Sequence, residues 1–505
     1  VIGAACLVPL AAVVVRAAAG EAPGTPAVFT GRILALLSRS LGLAAAVTGI
    51  ALVWGAPMGV LLGRARIPGR RSLLALHALP VFLPPLLLAL GWFHLVGREG
   101  LLGGDRTAAW LFARPGLVLV LAATLSPVVT ICTAIGVGGV ESALVDAGRL
   151  AAPPLRVAAL VLAPLAWPAI AVGAMLVFTL AFAEVAVPMF LRVDVYPAAV
   201  FSRLGGLVWA PGEAALLALP VLLLALALVA LERSAIGRRG VAALTARVER
   251  GEPLPLGRAT GPAFLLAVLG AAVSCSPVAA LAWRAVGGQG FADAWGRLGG
   301  TVANSVAVAV LAATGAALVA MVVGHGIARG DHVAGWLDGI ALAAFLAPAA
   351  VAGVGAIAAW NRPATAWLYG STAMLVMCLL GRYAVVAIRV FGAGVRQRPA
   401  SHEEAAAVSG AGYLRRLALV VCPENRRALA GAWLLAMLFC LRDVETAILV
   451  YPPGGETLPV RIFTLEANGP EPTVAALALI HVAVTTAALA LLALLLSRRT
   501  AVVAP

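Results

Sequence analysis

Apolar residues run through this chain in blocks of about 20, long enough as helices to cross roughly 30 Å of hydrocarbon, and the blocks are separated by short polar, arginine-bearing segments. The pattern predicts spans near 1–19, 40–63, 72–97, 116–140, 168–191 and 213–231. A basic stretch containing proline and glycine covers 232–261. Six more spans follow, near 262–283, 302–328, 333–359, 366–388, 428–450 and 474–496. The expected fold is an all-α polytopic membrane protein of about twelve transmembrane helices. They form two six-helix repeats: a first transmembrane unit over 1–231, a linker over 232–261 and a second unit over 262–505.

The first run is the hardest to place. The chain opens at Val1, and Ala17-Ala18-Ala19 has the small-residue form of a signal-peptide cleavage site. A signal peptide carries its basic region before the apolar core. Here Arg16 comes after it, so a true span is expected. Prolines Pro80, Pro84 and Pro85 in the third run and Pro348 in the ninth are expected to kink their helices and shape a cavity.

Composition sharpens this picture. Hydrophobic residues make up 62% of the 505, charged ones 11%, and the mean hydropathy is +1.02. A soluble chain would carry about a quarter charged residues. All 36 basic residues are arginine. Without lysine there is no Walker A loop, no pyridoxal Schiff base and no kinase-type ATP lysine, so an ATP motor would have to be another chain. The net charge of +14 does not point to nucleic acid, because in so apolar a chain basic residues mark cytoplasmic loops. About 22 arginines fall in the inner loops of a topology with both termini cytoplasmic, against about 11 outside, in keeping with the positive-inside rule.

The six cysteines form no C-x-x-C pair and the six histidines no ligand spacing, so neither a disulfide framework, a metal site nor a resident cofactor is expected. No Ser/His/Asp set or paired carboxylates suggests an enzyme.

A shift of 259 residues superposes Arg156 on Arg415, Leu160 and Val161 on Leu419 and Val420, Pro164 on Pro423, Ala169 on Ala428 and Glu184 on Asp443. The matches fall on a long loop and the start of the following span in each half, and both loops lie on the cytoplasmic side of the expected topology. The repeat is therefore parallel. The second loop reads Arg398-Pro399-Ala400-Ser401-His402-Glu403-Glu404-Ala405-Ala406-Ala407-Val408-Ser409-Gly410-Ala411-Gly412-Tyr413-Leu414-Arg415-Arg416. Ser401 with Glu404 three residues on has the capping-box form, predicting a short exposed helix that ends at Gly410 or Gly412.

That segment resembles the EAA loop of ABC-importer permeases in Glu403, Glu404, Ala405, Ala406, Gly410, Ala411, Arg415 and Pro423. The first loop, from Leu144 through Asp146, Ala147 and Arg156 to Pro164, departs from the pattern. Its acidic pair is reduced to Asp146, Ala151 or Ala152 stands for the glycine, and the spacing slips by one residue. The fused double unit, with Leu441-Arg442-Asp443-Val444-Glu445-Thr446 and Gly455-Glu456-Thr457-Leu458-Pro459-Val460-Arg461-Ile462-Phe463, is similar to the ferric-iron permeases of that family. Fused thiamine permeases share the architecture. The resemblance implies a bacterial inner-membrane permease, a cytoplasmic ABC ATPase dimer docked on the two loops, and an extracytoplasmic substrate-binding protein. Asp146, Ala147, Arg156, Glu403, Glu404, Ala405, Gly410 and Arg415 would then serve ATPase coupling.

Acids inside apolar spans are costly and usually face a cavity or a partner. Glu184, Asp443 and Glu445 are candidates for a substrate passage that attracts a cation; alternatively Arg442 neutralises one of them, or they only fix helix ends. Asp338 is expected near Arg329, Arg382 is expected to snorkel to the headgroups, and His94 and His325 are expected to be satisfied interfacial residues. An ion-coupled twelve-helix carrier using Glu184, Asp443 and Glu445 stands as the alternative function, although such a carrier has no need of two EAA-like loops.

Overall fold

The computed structural model describes residues 1–19, 30–205, 211–236, 253–286 and 289–497. Most of the linker expected at 232–261 lies outside these residues, as do Arg498 and Arg499. Among the described residues the chain is helical, with one isolated β-bridge between Ala65 and Leu254 and no strand.

The helices that matter below are α1 (Gly3–Ala18), α2 (Gly31–Arg64), α3 (Arg70–Phe82), α4 (Pro85–Val96), α5 (Arg114–Gly138), α6 (Ser142–Ala151), α7 (Pro154–Ala183), α8 (Gly212–Ser234) and α9 (Gly257–Val286). They continue with α10 (Thr301–Ala328), α11 (His332–Leu346), α12 (Ala349–Trp360), α13 (Thr372–Arg396), α14 (Ser401–Val408), α15 (Arg426–Leu441), α16 (Glu445–Val450) and α17 (Glu471–Leu495).

Eight of these, α2, α5, α7, α8, α9, α10, α13 and α17, are long and apolar enough to cross a membrane, and two bent pairs bring the number to ten. This is an all-α polytopic membrane protein. The twelve-span count is reduced at two places. The run at 1–19 forms only the shorter helix α1. The run at 428–450 forms α15, of 16 residues, and then breaks before α16.

The prolines do more than kink. The third run turns by 107° between α3 and α4, and the ninth by 110° between α11 and α12. Pro84 and Pro348 sit at those corners with ψ of 131° and 149°. A proline cannot donate to the helical ladder, and it pushes the residue before it out of the α region. Leu83 and Ala347 are accordingly extended, with ψ of 148° and 131°.

The chain groups into two compact units that interleave in sequence: Val1–Thr25, Val200–Leu223 and Gly290–Pro505 in one, Pro26–Ala199 and Leu224–Gln289 in the other. In the first, α1 lies on α12 so closely that a Cβ at Gly355 would meet the Pro9 carbonyl oxygen at 2.1 Å. In the second, α9 lies on α4, where a Cβ at Gly91 would meet the Pro277 carbonyl oxygen at 2.3 Å. Small residues thus let backbones touch where no water drives apolar surfaces together, and each unit takes in the leading helix of the other sequence half.

Candidate functional site

The two loops have one backbone design. α6 occupies 142–151 and α14 occupies 401–408. Four-residue helices follow at Pro154–Val157 and Tyr413–Arg416, then single π-turns at Ala158–Leu162 and Leu417–Val421. The four-residue helices and the π-turns are displaced from one another by the same 259 residues as the sequence repeat. One residue intervenes after each π-turn, and then comes a proline, Pro164 or Pro423. Proline deletes one i→i−4 bond and crowds the carbonyl four residues back. A wider turn there relieves the crowding; α7 then runs on to Ala183, whereas the second segment turns once more at Asn425 before α15 begins.

This register needs no one-residue slip. Asp146 falls opposite Ala405, and the positions of Glu403 and Glu404 are taken by Leu144 and Val145. Val145 is 2% exposed and packs into an apolar cluster with Met58, Leu62, Val137, Val157 and Leu162. Asp146 is exposed and accepts only from Arg149 Nη1, at 3.1 Å, three residues on. Ala147 and Arg156 are exposed.

In the second loop the capping box does not form. α14 starts after Ala400, whose backbone is already helical, and no side chain caps it. Its other end matches expectation. Gly410 has φ +80°, its N–H donates to the Ala407 carbonyl at 2.9 Å, and the Ala411 N–H donates to the Ala406 carbonyl at 3.0 Å. This left-handed Schellman stop suits glycine. α6 stops differently, with Ala152 at φ −151° ahead of Pro153.

Glu403 does not face outward. Arg329 Nη2 donates to its Oε1, and His325 Nε2 lies 2.8 Å from its Oε2. The Tyr413 hydroxyl is 3.5 Å from the other ring nitrogen of His325. Burial alone would raise the Glu403 carboxyl, but the hydrogen bonds and charges of Arg329 and His325 outweigh it and hold the group below the ordinary carboxylate range. Glu404, Ala405 and Arg415 are exposed. His325 is thus a satisfied residue, as expected. Arg329 serves Glu403, and Asp338 is held instead by Arg389, through Nε at 3.1 Å and Nη2 at 2.9 Å.

Glu184 and Asp443, 259 residues apart, both stand where a long helix breaks. The Val187 N–H donates to Glu184 Oε1 at 3.2 Å, and the equivalent Thr446 N–H donates to Asp443 Oδ1 at 2.7 Å. Each acid caps the next short helical segment, satisfying a backbone donor that the break orphans. Asp443 is far more heavily engaged. It is 6% exposed and also accepts from the Tyr383 hydroxyl at 2.6 Å, the Thr446 hydroxyl at 3.1 Å and the Ala447 N–H at 3.3 Å. Arg382 is 3.7 Å from Asp443, 3.8 Å from Glu445, and donates to the Thr446 hydroxyl at 2.9 Å. Arg382 therefore does not snorkel. At 8% exposure it is locked into a buried network, because an unpaired guanidinium among apolar helices would be far costlier than a paired one.

Sequence reasoning missed these partnerships: Arg64 and Arg329 with the loops, and Arg382 and Tyr383 with Asp443. The signal for the first pair was partial: each arginine closes an apolar run, but its loop lies about 70 to 80 residues further along the chain. Among the described residues no group of histidine, cysteine or acidic side chains is arranged to hold a metal ion, and the six cysteines are free thiols.

No family model matches the chain. Over 89 residues, 18% of its length, it is 35% identical to the putrescine transport system permease protein PotI of Escherichia coli (strain K12). The same protein of Escherichia coli O6:H1 matches equally. The chain spans about a third (32%) of the length of these curated relatives. What the match carries is coarse: over that stretch this polytopic membrane protein is similar to a transport-system permease, and its matched relatives are named for putrescine and not for iron.

Proposed function

We propose that the chain is the membrane permease of a binding-protein-dependent ABC importer in the bacterial inner membrane, with two transmembrane units fused, both termini cytoplasmic and the ATPase supplied by separate subunits. The observation that carries this reading is the duplicated loop, a short exposed helix, a turn, a four-residue helix and a π-turn, built twice in a chain that is similar to a transport permease over part of its length.

The mechanism is mechanical. A cytoplasmic ATPase dimer grips α6 and α14 through their exposed residues: Asp146, Ala147 and Arg156 on one loop, Glu404, Ala405 and Arg415 on the other. Closure of the dimer on ATP pulls the loop helices and rocks the membrane helices that follow, α7 and α15. The passage then opens toward an extracytoplasmic binding protein. Such a cycle needs ATP to favour one state over the other; equal affinity for both would move nothing. The linking elements are the π-turns and the prolines that follow them, which join loop to span through short helical segments. Ferric iron is the preferred substrate by resemblance, and putrescine enters through the matched relatives. Both are cations, which the partly buried carboxylates Glu184 and Glu445 suit. Asp443 contributes to a passage only indirectly, by holding the start of α16.

The ion-coupled carrier is the weaker reading, because its central acid, Asp443, is already saturated with donors. The test is uptake of labelled ferric iron, putrescine and thiamine by cells expressing the chain together with a candidate ABC ATPase and binding protein from the same organism. Glu404→Arg and Gly410→Asp should abolish uptake while leaving the protein inserted. Normal uptake by both variants would refute the coupling-loop assignment.

A further inference from the structure

α2 and α10 end alike. Arg64 is the last residue of α2, and Arg329 caps the C-terminal end of α10. Each reaches a loop helix about 70 to 80 residues further along the chain. Arg64 donates from Nη1 to the Val140 carbonyl at 3.1 Å and from Nη2 to the Ser142 hydroxyl at 3.2 Å, at the first residue of α6. Arg329 donates from Nη1 to the Arg398 carbonyl at 3.4 Å and from Nη2 to Glu403, in the first turn of α14. In both arginines Nε has no hydrogen-bond partner, so the terminal nitrogens do all the holding. The difference lies in what else fixes each loop helix. α6 buries Val145 in the apolar cluster of its unit. α14 buries no residue at all. A helix of eight residues has little intrinsic stability or preferred direction in water, so its polar contacts set its orientation: Arg329 and His325 hold Glu403 from α10, while the more exposed His402 Nδ1 lies 2.6 Å from Glu424 Oε1 and ties α14 only to the segment that follows it.

We propose that Arg64 and Arg329 are positioning residues that tie the loop helices to membrane helices α2 and α10. Glu403 is then an internal anchor that makes α14 move as one body with α10, and is not itself a contact for the ATPase. The proposal rests on the coupling-loop reading for its functional meaning, and its geometry is testable without any partner.

The experiment is amide hydrogen exchange on the full chain in lipid nanodiscs. Arg329→Met and the shape-conserving Glu403→Gln should each speed exchange across 401–409 by at least about tenfold and leave 142–151 unchanged. The exchanged pair, Arg329→Glu with Glu403→Arg, should bring 401–409 back to within about threefold of the parent, which loss of packing alone would not do. Arg64→Met should loosen only the first turn of α6, because Val145 still holds the rest. Unchanged exchange at 401–409 in both single variants, or equal loosening of both loops, overturns the proposal. Capture of the candidate ATPase by the Glu404→Arg variant separates the two ideas. Full capture together with the expected exchange pattern leaves the anchor standing and removes the coupling reading. Lost capture with unchanged exchange does the reverse.

Discussion

The segments 142–187 and 401–446 follow one backbone path with different adhesives. Both run loop helix, turn, short helix, π-turn, long helix, break and capped short helix, with a proline in the same place beyond each π-turn, and the second adds a turn at Asn425 before its long helix. In the first segment the loop helix is held from beneath by Val145, and the break is capped by Glu184. In the second the loop helix is held by the Arg329, His325 and Glu403 cluster, and the break is capped by Asp443 inside a net of Arg382, Tyr383 and Thr446. A path fixed by proline and by the need to satisfy backbone donors tolerates either adhesive. The ionic one is conditional on charge and pH, and the apolar one is not.

The comparison is broken most severely at the caps. Asp443→Ala leaves Arg382 buried among apolar helices without its main counter-charge, and removing one partner of a buried pair costs about 3–5 kcal/mol. Glu184→Ala removes one cap from a less buried site and should cost about 1 kcal/mol. Unfolding of the purified chain in mixed micelles, followed by helical circular dichroism, should separate the two variants clearly. Equal losses would mean that the two breaks are held alike.

The helix stops come next. Gly410 sits at φ +80° with open space around it, so Gly410→Val meets no clash and suffers only the left-handed backbone, worth about 1–2 kcal/mol. Ala151 ends α6 in ordinary helical geometry, and Ala151→Val should cost well under 1 kcal/mol. Limited proteolysis of the two loops in parallel reads the contrast: faster cleavage near 410 in the first variant, unchanged cleavage near 151 in the second.

Much of this was legible in the residues, for identifiable reasons. Apolar run length revealed ten of the membrane elements, because hydrocarbon thickness imposes it, and the 259-residue repeat located both loops and both caps. Run length could not distinguish a straight span from a right-angled corner, since α3 with α4 and α11 with α12 are together long and apolar enough to count as spans. Nor could it foresee the pairing of Arg382 with Asp443, or of Arg389 with Asp338. Such pairs join residues about 50 to 60 positions apart, and a one-dimensional hydrophobic pattern carries no information about which helices adjoin. The capping box at Ser401 failed for a local reason: Ala400 is already helical, which leaves the serine inside the helix where it cannot cap.

A smaller effect separates the adhesives by pH. Glu403 has a depressed folded-state pKa, so the stability it lends to α14 is fully present above the unfolded carboxyl value of about 4.3 and is lost as pH falls through the lower folded value. Exchange across 401–409, normalised to the intrinsic rate, should rise as pH falls below about 4.5. The Glu403→Gln variant separates that step from any change at His325, which pairs with Glu403, or at His402, which pairs with Glu424. Exchange across 142–151 should show no such rise, and Glu403→Gln should abolish the step at 401–409. A step in both loops would mean that acid loosens the whole protein.

The smallest effect expected is at Asp146, the acid that in sequence stands for the missing pair of the first loop. Its contact with Arg149 is an i,i+3 pair with side chains 63% and 33% exposed, and exposed helical pairs contribute a few tenths of a kcal/mol at most. Val145, one residue earlier, does the holding. Asp146→Ala should therefore leave the unfolding midpoint and the exchange of α6 unchanged, whereas Val145→Ala should loosen α6 by the loss of buried side-chain volume. If Asp146→Ala nonetheless weakens capture of the ATPase, its role lies outside the fold, on the surface presented to the partner. If it weakens the fold as much as Val145→Ala does, the first loop is held by charge after all and the contrast between the two adhesives disappears.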